Sequence, residues 1–433
     1  MVNNALDRSG RTLLAWRCLM VMHRFMPTDL TRLYVTIRQP YRGNFKKGLM
    51  TMTSEERREG RYQRRIAKRM AKRNQSRAFC DDFNTVFSYE NLYRSYKKCR
   101  RNVAWKASVQ KYITQAPLMV NQTYEKLQAG KFKSSGFYEF DINERGKIRH
   151  IKSVTITERV VQRCLCDNAL VPMLSPTFIY DNGASLENRG YHFSIRRMVR
   201  HLQEHYRKHG TEGYVLLFDF SKFFDNVSHE LCKQIMREQF TDERVIGITD
   251  HFIDMFGDVG LGLGSQISQT FALASANRLD HYVKEVLRIR GYGRYMDDGY
   301  LIHESKEYLQ HCLTEIRRVC RELGITINEK KTQIVKISHG FTFLKARFYL
   351  TETGKVVRKI YKKSIVRERR KLKKFVPLLE NGVMSYTDVA TAFQSWCAYA
   401  KNFSAWHTIQ NMCRLYNQLF IYPWIIQGGT QGC

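Results

Sequence analysis

Periodicity in the placement of apolar residues is sustained only from Thr53 onward; residues 1–51 show none. Thr53-Ser-Glu-Glu56 fits a capping box, with Thr53 at the N-cap and Glu56 reaching back to it, so a helix starts there. Amphipathic spacing then runs from Tyr89 to about Gly130, interrupted near Pro117, and Gly130 is a natural C-cap for the stretch Leu118–Ala129. Gly136 to Asp141 alternates as a strand does, Glu144-Arg-Gly-Lys147 supplies a turn, and Ile148–Ile151 returns from it. Thr157–Leu174 is helical in period. From Tyr214 the order reads strand, helix, helix, strand, turn, strand, helix, strand, which is an α+β arrangement. Further helical segments extend to about residue 420.

A chain of 433 residues, 43% of them hydrophobic, can bury a large core and suggests two to three lobes. Neither low-complexity stretches nor a fixed repeat period is present, which excludes repeat architectures. The eleven cysteines include no CxxC pair, and only Cys164 and Cys166 sit close together. A structural zinc site and a disulfide framework are therefore not expected; free thiols in a reducing cytoplasm are. The apolar run Leu13–Met22 contains Arg17 and is too short to span a bilayer, and no cleavage site follows it, so neither membrane nor signal peptide is read. Residues 1–51 are expected to be a poorly ordered, dispensable extension ahead of Met50 or Met52; the competing reading is a basic RNA- or partner-binding arm.

Charge changes the picture most. The 72 Lys+Arg exceed the 40 Asp+Glu by 32, and a polyphosphate is the obvious partner for such an excess. The basic residues concentrate in two places. The helix from Thr53, over residues 52–78, carries ten cations, with Glu59 alone among them, and Arg57, Arg61, Arg65 and Arg69 form one stripe at i, i+4 spacing. Between 355 and 374, eleven Lys/Arg face the single Glu368. Arg61, Arg65, Arg69, Lys371 and Lys374 are thus candidates for RNA contact, against the plain alternative of solvated charged helices.

Candidate chemistry lies in three segments. Tyr214-Val-Leu-Leu-Phe-Asp219 is an apolar strand ending in a carboxylate, followed by Phe223, Phe224 and Asp225. Leu263-Gly-Ser-Gln-Ile-Ser-Gln269 opens a helix with Phe271, Ala274 and Leu279 on its apolar face. Gly293-Arg-Tyr-Met-Asp297-Asp298-Gly places two adjacent carboxylates in the turn of a hairpin. Adjacent acids repel, and become tolerable when divalent cations sit between them and a third carboxylate. Two-metal phosphoryl transfer requires such a cluster, and Mg²⁺ suits a few carboxylates plus substrate phosphates.

These blocks resemble motifs A, B and C of reverse transcriptases, and the resemblance runs from about Tyr89 to about Trp406. It is strongest to bacterial enzymes, those of diversity-generating retroelements and related uncharacterised or defence-associated groups. Lys147-Ile-Arg149 and Thr157-Glu-Arg-Val-Val-Gln-Arg-Cys resemble the fingers motifs around the incoming triphosphate. Leu323 to Thr332 resembles motif D, Gly340-Phe-Thr-Phe-Leu344 the primer grip with Lys345 in place of its usual glycine, and Ser395-Trp396 with Trp406-His407 the thumb. Motif B ends in Gln269 rather than in the proline of group II intron enzymes. The retron elements are not read here, and neither a His-Asn-His nuclease domain after the thumb nor an RNase H domain after residue 420 is expected.

The resemblance implies a right-hand polymerase with fingers and palm over 79–350 and a helical basic thumb with its tail over 351–433. It implies RNA-directed DNA synthesis from dNTPs on a DNA or RNA primer, with an RNA template, a dedicated noncoding RNA fitting best, and an accessory protein as a possible partner. Asp219, Asp297 and Asp298 would hold two Mg²⁺ ions, which Mn²⁺ could replace. Phe224 would be the gate against a ribose 2′-OH, with Phe223 as its competitor. Arg149, and less directly Lys147, would grip the triphosphate; Lys331, with Lys330 competing, would sit by the leaving pyrophosphate. Gly264 would let backbone approach the nascent pair, and Gln269 would orient template or nucleotide. A retroelement enzyme is the first expectation, a defence enzyme acting on its own RNA the second, and an RNA-binding scaffold the third.

Overall fold

A computed structural model of the chain describes residues 53–144 and 146–421. The expectations for residues 1–51 lie outside that set. The chain divides into two units within its first helix, between Arg69 and Met70. That helix, α1 (Ser54–Cys80), opens with the expected capping box: the Thr53 amide donates to Glu56 Oε2 at 2.7 Å, and the Glu56 amide donates to Thr53 Oγ1 at 3.2 Å. Arg61 and Arg65 are exposed on it; the Arg69 side chain falls outside the described set.

The amphipathic stretch from Tyr89 is three helices, α2 (Tyr89–Cys99), α3 (Ala107–Thr114) and α4 (Ala116–Gln128). Pro117 starts α4 rather than breaking a helix, since its missing N–H is unneeded in the first turn. Gly130, at φ +65°, follows the C-cap. Next comes a hairpin, β1 (Tyr138–Glu144) and β2 (Lys147–Ser153), then α5 (Ile156–Leu165), which continues through a π-helical turn and a further α-helical turn to Leu174.

The palm is built on α6 (Tyr191–His209) and the four-stranded antiparallel sheet β4-β5-β3-β6: β3 (Tyr214–Asp219), β4 (Gly291–Tyr295), β5 (Asp298–His303) and β6 (Gln333–Lys336). Between β3 and β4 stand three long helices where the periodicity suggested two: α7 (His229–Gln239), α8 (Glu243–Asp254) and α9 (Gln266–Ser275). The Asp242 cap that starts α8 separates two segments of similar period. α10 (Lys306–Glu322) links β5 to β6. β3 is central, and its apolar run is buried on both faces: Leu216 and Phe218 join one core with Phe271, Leu309 and Ile316, whereas Val215 and Leu217 join a second with Met198, Leu202, Tyr300 and Phe348.

The second core continues into a three-stranded sheet, β7 (Phe341–Phe343), β8 (Ala346–Leu350) and β9 (Val356–Ile360), and into the helices α11 (Lys362–Glu380), α12 (Tyr386–Ala400) and α13 (Trp406–Tyr416). A boundary at 350/351 therefore cuts this sheet between β8 and β9; the thumb helices start at Lys362. The turn joining β7 to β8 is Leu344-Lys345, both with positive φ (+47° and +63°), which explains the glycine usual at the second position. The fold is α+β with fingers, palm and helical thumb. No helix among the described residues is long and apolar enough to cross a membrane.

Candidate active site

The strand register brings the acids together. Asp219 ends β3 directly opposite Asp298, the first residue of β5, and the Phe220 amide donates to the Asp297 carbonyl at 3.2 Å. Asp219 is 4% exposed, yet its carboxylate is well supplied with donors: Asn328 Nδ2 at 3.1 Å and Lys331 Nζ at 2.8 Å. The Asn328 amide also donates to the Asp219 carbonyl at 2.8 Å, tying the segment after α10 to the end of β3. Burial, then the charges of Asp297 and Asp219, push the Asp298 carboxyl up to about 7, while Lys331 pulls the other way.

That shift describes a surplus of negative charge which a divalent cation would relieve, and three carboxylates are the hard oxygen donors that Mg²⁺ takes. The residues present fit such ions in kind. Among the described residues, however, no three His, Cys, Asp or Glu side chains stand in a metal-holding arrangement, and Lys331 neutralises Asp219 instead.

The turn between β4 and β5 is Met296-Asp297, closed by the Tyr295–Asp298 pair. Met296 has φ +54°, at a position where a tight hairpin ordinarily places glycine. A buried ion pair holds this conformation. Arg294 donates from Nη1 to the Met296 carbonyl at 2.8 Å, and from Nε and Nη2 to Asp280 at 2.8 and 2.7 Å; both side chains are fully buried. Arg294 also reaches the Leu273 carbonyl in α9, and Tyr292 donates its hydroxyl to Asp280. The Met296-Asp297 turn is thus fastened to α9. Sequence reading missed Arg294, Asp280 and Asn328.

Around the acids, Phe223 is buried against Phe220, ring centroids 4.9 Å apart, while Phe224 is half-buried and accepts the Leu261 amide at its carbonyl. Phe224 is therefore the one of the two left with an open side. Asp225 is exposed and packs its backbone against Gly260. Gln269 is exposed on the first turns of α9 and accepts from Ser185 Oγ at 3.1 Å. Gly264, at φ +113°, would carry a Cβ 3.2 Å from the Lys152 carbonyl, so the close approach it permits in this structure is to β2.

Arg149 lies on the exposed hairpin, paired with Glu144 at 2.7 Å and not with the aspartates. Lys147 starts β2, and its side chain falls outside the described set. The hairpin is exposed along β1 but gripped at its root. Glu158, 1% exposed, accepts from Ser134 Oγ and the Ser135 amide (2.7 Å) ahead of β1, and from the Thr155 amide and hydroxyl (3.1 and 2.7 Å) beyond β2. Arg159 donates to Ser153 Oγ at 2.8 Å, and the Lys152 amide to the Leu263 carbonyl at 3.2 Å. In the thumb, Lys371 is half-buried beside Glu368 and Lys374 is exposed.

A profile of the reverse transcriptase (RNA-dependent DNA polymerase) family matches residues 133–348, which contain all three acids and Lys331. Protein YkfC of Escherichia coli (strain K12) is 25% identical over 242 residues, covering 46% of this chain and 62% of that protein. The chain thus spans less than two thirds of that relative's length. Among solved structures, apo telomerase from Candida tropicalis, truncated from its C-terminal domain, aligns with a TM-score of 0.39 and 15% identity over 52% of this chain and 55% of that one. Telomerase from Candida albicans in complex with a TWJ fragment of telomeric RNA aligns with a TM-score of 0.42 and 12% identity, over 58% and 52%.

Proposed function

We propose that the chain, whose residues 133–348 match the reverse transcriptase family, is an RNA-directed DNA polymerase that copies RNA by two-metal chemistry centred on Asp219, Asp297 and Asp298. The observation that carries this reading is the register placing Asp219 opposite Asp298, with the Asp297 turn alongside. The primer 3′-oxygen attacks the dNTP α-phosphorus; the new O–P bond forms as the bond to pyrophosphate breaks. Two Mg²⁺ ions held by the three aspartates would stabilise the attacking and leaving oxygens. Lys331, which donates to Asp219 here, supplies positive charge on the pyrophosphate side, where negative charge develops. Arg149, freed from Glu144, closes its guanidinium on the triphosphate, a role its planar fork suits, and Lys147 adds a second cation. Phe224 excludes the 2′-OH, Gln269 orients the pairing base, and Gly264 leaves room for backbone to approach.

In biological setting, we read a retroelement-type enzyme working on a dedicated RNA, a reading supported by the Ser268-Gln269 ending of motif B. A defence enzyme acting on its own noncoding RNA is the alternative, and sequencing the RNA that copurifies, with the DNA made on it, separates the two. The polymerase assignment is tested with Asp297→Ala/Asp298→Ala. Incorporation of dNTPs with Mg²⁺ should vanish while RNA affinity stays within about threefold; retained extension would remove the aspartates from the mechanism.

A further inference from the structure

The outward side of α6 has no part in the chemistry above. His192, Arg196, Arg200, Gln203 and Arg207 are all exposed, at spacings of four, four, three and four, so they form one stripe along the helix. The opposite side, Ile195, Met198 and Leu202, is buried in the second core. Two hollows of about 510 and 430 Å³ flank the stripe and share Glu204 and Arg207, so they are contiguous. The larger also takes Lys208, Arg288 and Arg290; the smaller takes Arg196, Arg200 and Arg358.

Two carboxylates line these hollows, and one of them is paired with an arginine. Glu204 accepts from Arg200 Nε at 2.8 Å, and Glu304 lies 3.6 Å from both His209 and His303. Among the described residues, Arg196, Arg207, Lys208, Arg288, Arg290 and Arg358 have no carboxylate partner. These six cations outnumber the one carboxylate there without an Arg or Lys partner, Glu304, and focus a positive field into one concave surface. The apolar liners of the smaller hollow, Val199 and Val356, are half-buried, and those of the larger, Ile289 and Ile302, are buried. Such a face offers a bilayer nothing to take up, and offers a hydrated polyanion a groove.

Position favours RNA as that polyanion. β5 runs from Asp298 to His303, which lines the larger hollow, so the hollow begins about 17 Å from the catalytic acid at ~3.4 Å per residue. The stripe from Arg196 to Arg207 is about 16 Å long at 1.5 Å per residue and runs alongside β5, with His201 bonded to Tyr300 and His209 beside Glu304. A template engaged at the acids is tethered within reach, and its remaining strand presents phosphates here at high effective concentration.

We propose that the outer face of α6, with its two hollows, is a second RNA-binding surface that holds the sugar–phosphate backbone of template beyond the segment in the cleft. The proposal rests on the RNA-copying reading. Its test uses Arg196→Gln/Arg207→Gln, both exposed positions, in the full chain. The probes are a DNA primer annealed to RNA with a 6-nucleotide single-stranded overhang and the same primer on RNA with a 40-nucleotide overhang.

The wild-type chain should bind the long-overhang probe at least about tenfold more tightly, and the variant should lose most of that gain. The slope of log affinity against log salt for the long probe should flatten by about 1.4, two contacts at ~0.7 each. Extension of the short-overhang probe should stay within twofold of wild type, which keeps a failure here distinct from a failure of the polymerase reading. An unchanged slope, no wild-type preference for the long probe, or an equal loss on both probes would each overturn the proposal. The last would put the arginines in the cleft, and the second would assign the face to another polyanion, such as an acidic protein.

Discussion

At Asp298, burial and two neighbouring carboxylates act in the same direction, and the group titrates near 7. Its folded pKa is raised, so protonation stabilises the metal-free fold below the unfolded value, and that contribution is lost as pH climbs through about 7. Mg²⁺ held by this carboxylate would compete with the proton. The rise in Tm on adding Mg²⁺ should therefore grow from pH 6 to pH 8, and Asp298→Asn should abolish the growth; a pH-independent Mg²⁺ effect would place the ion elsewhere. Phe224 raises a question of shape rather than charge. With Phe223 committed to the core beside Phe220, Phe224→Ala should raise rNTP incorporation relative to dNTP by at least about tenfold. Unchanged discrimination in single-nucleotide extension would acquit Phe224.

Among elements, the hairpin β1–β2 depends on one carboxylate at its root. Glu158 joins the approach to β1 with the exit from β2, so Glu158→Gln loosens the base on which Arg149 is carried. Steady-state kinetics should show KM for dNTP rising about five- to tenfold with kcat within twofold, since the nucleotide grip suffers and the acids do not. A fall in kcat at constant KM would mean that Glu158 only supports folding. The hairpin and the capping box at Thr53 were legible in sequence because their signals are local, as were the β3 carboxylate and the acidic turn. What tied them together was not. Asn328 is 109 residues from Asp219, and Arg294 acts through Asp280 and Leu273, buried partners that no spacing rule links. The third helix between β3 and β4 escaped because α7 and α8 share one period and are parted only by the Asp242 cap.

For the whole molecule, the excess of 32 positive charges makes association with RNA steeply salt-dependent. Replacing Arg61, Arg65 and Arg69 by Gln should flatten the salt slope for a primed RNA by about 2, at ~0.7 per contact. An unaltered slope would mean that α1 is a solvated helix.

The central place of β3 also sets a timetable for biosynthesis. Its neighbours β5 and β6 begin at Asp298 and Gln333, so the strand Tyr214–Asp219 leaves the ribosome long before either partner exists. At ~5–20 residues per second, the stretch from Tyr214 to His303, which completes the first partner strand, takes about 4–18 s to make. For that interval Val215, Leu216, Leu217 and Phe218 form an unpaired apolar strand of the kind that other chains can capture. Chaperones that shield unpaired strands should therefore raise the folded yield in coupled translation, and Val215→Lys in this strand should lower it. A chain released before residue 333 has no complete sheet on which to mount Asp219.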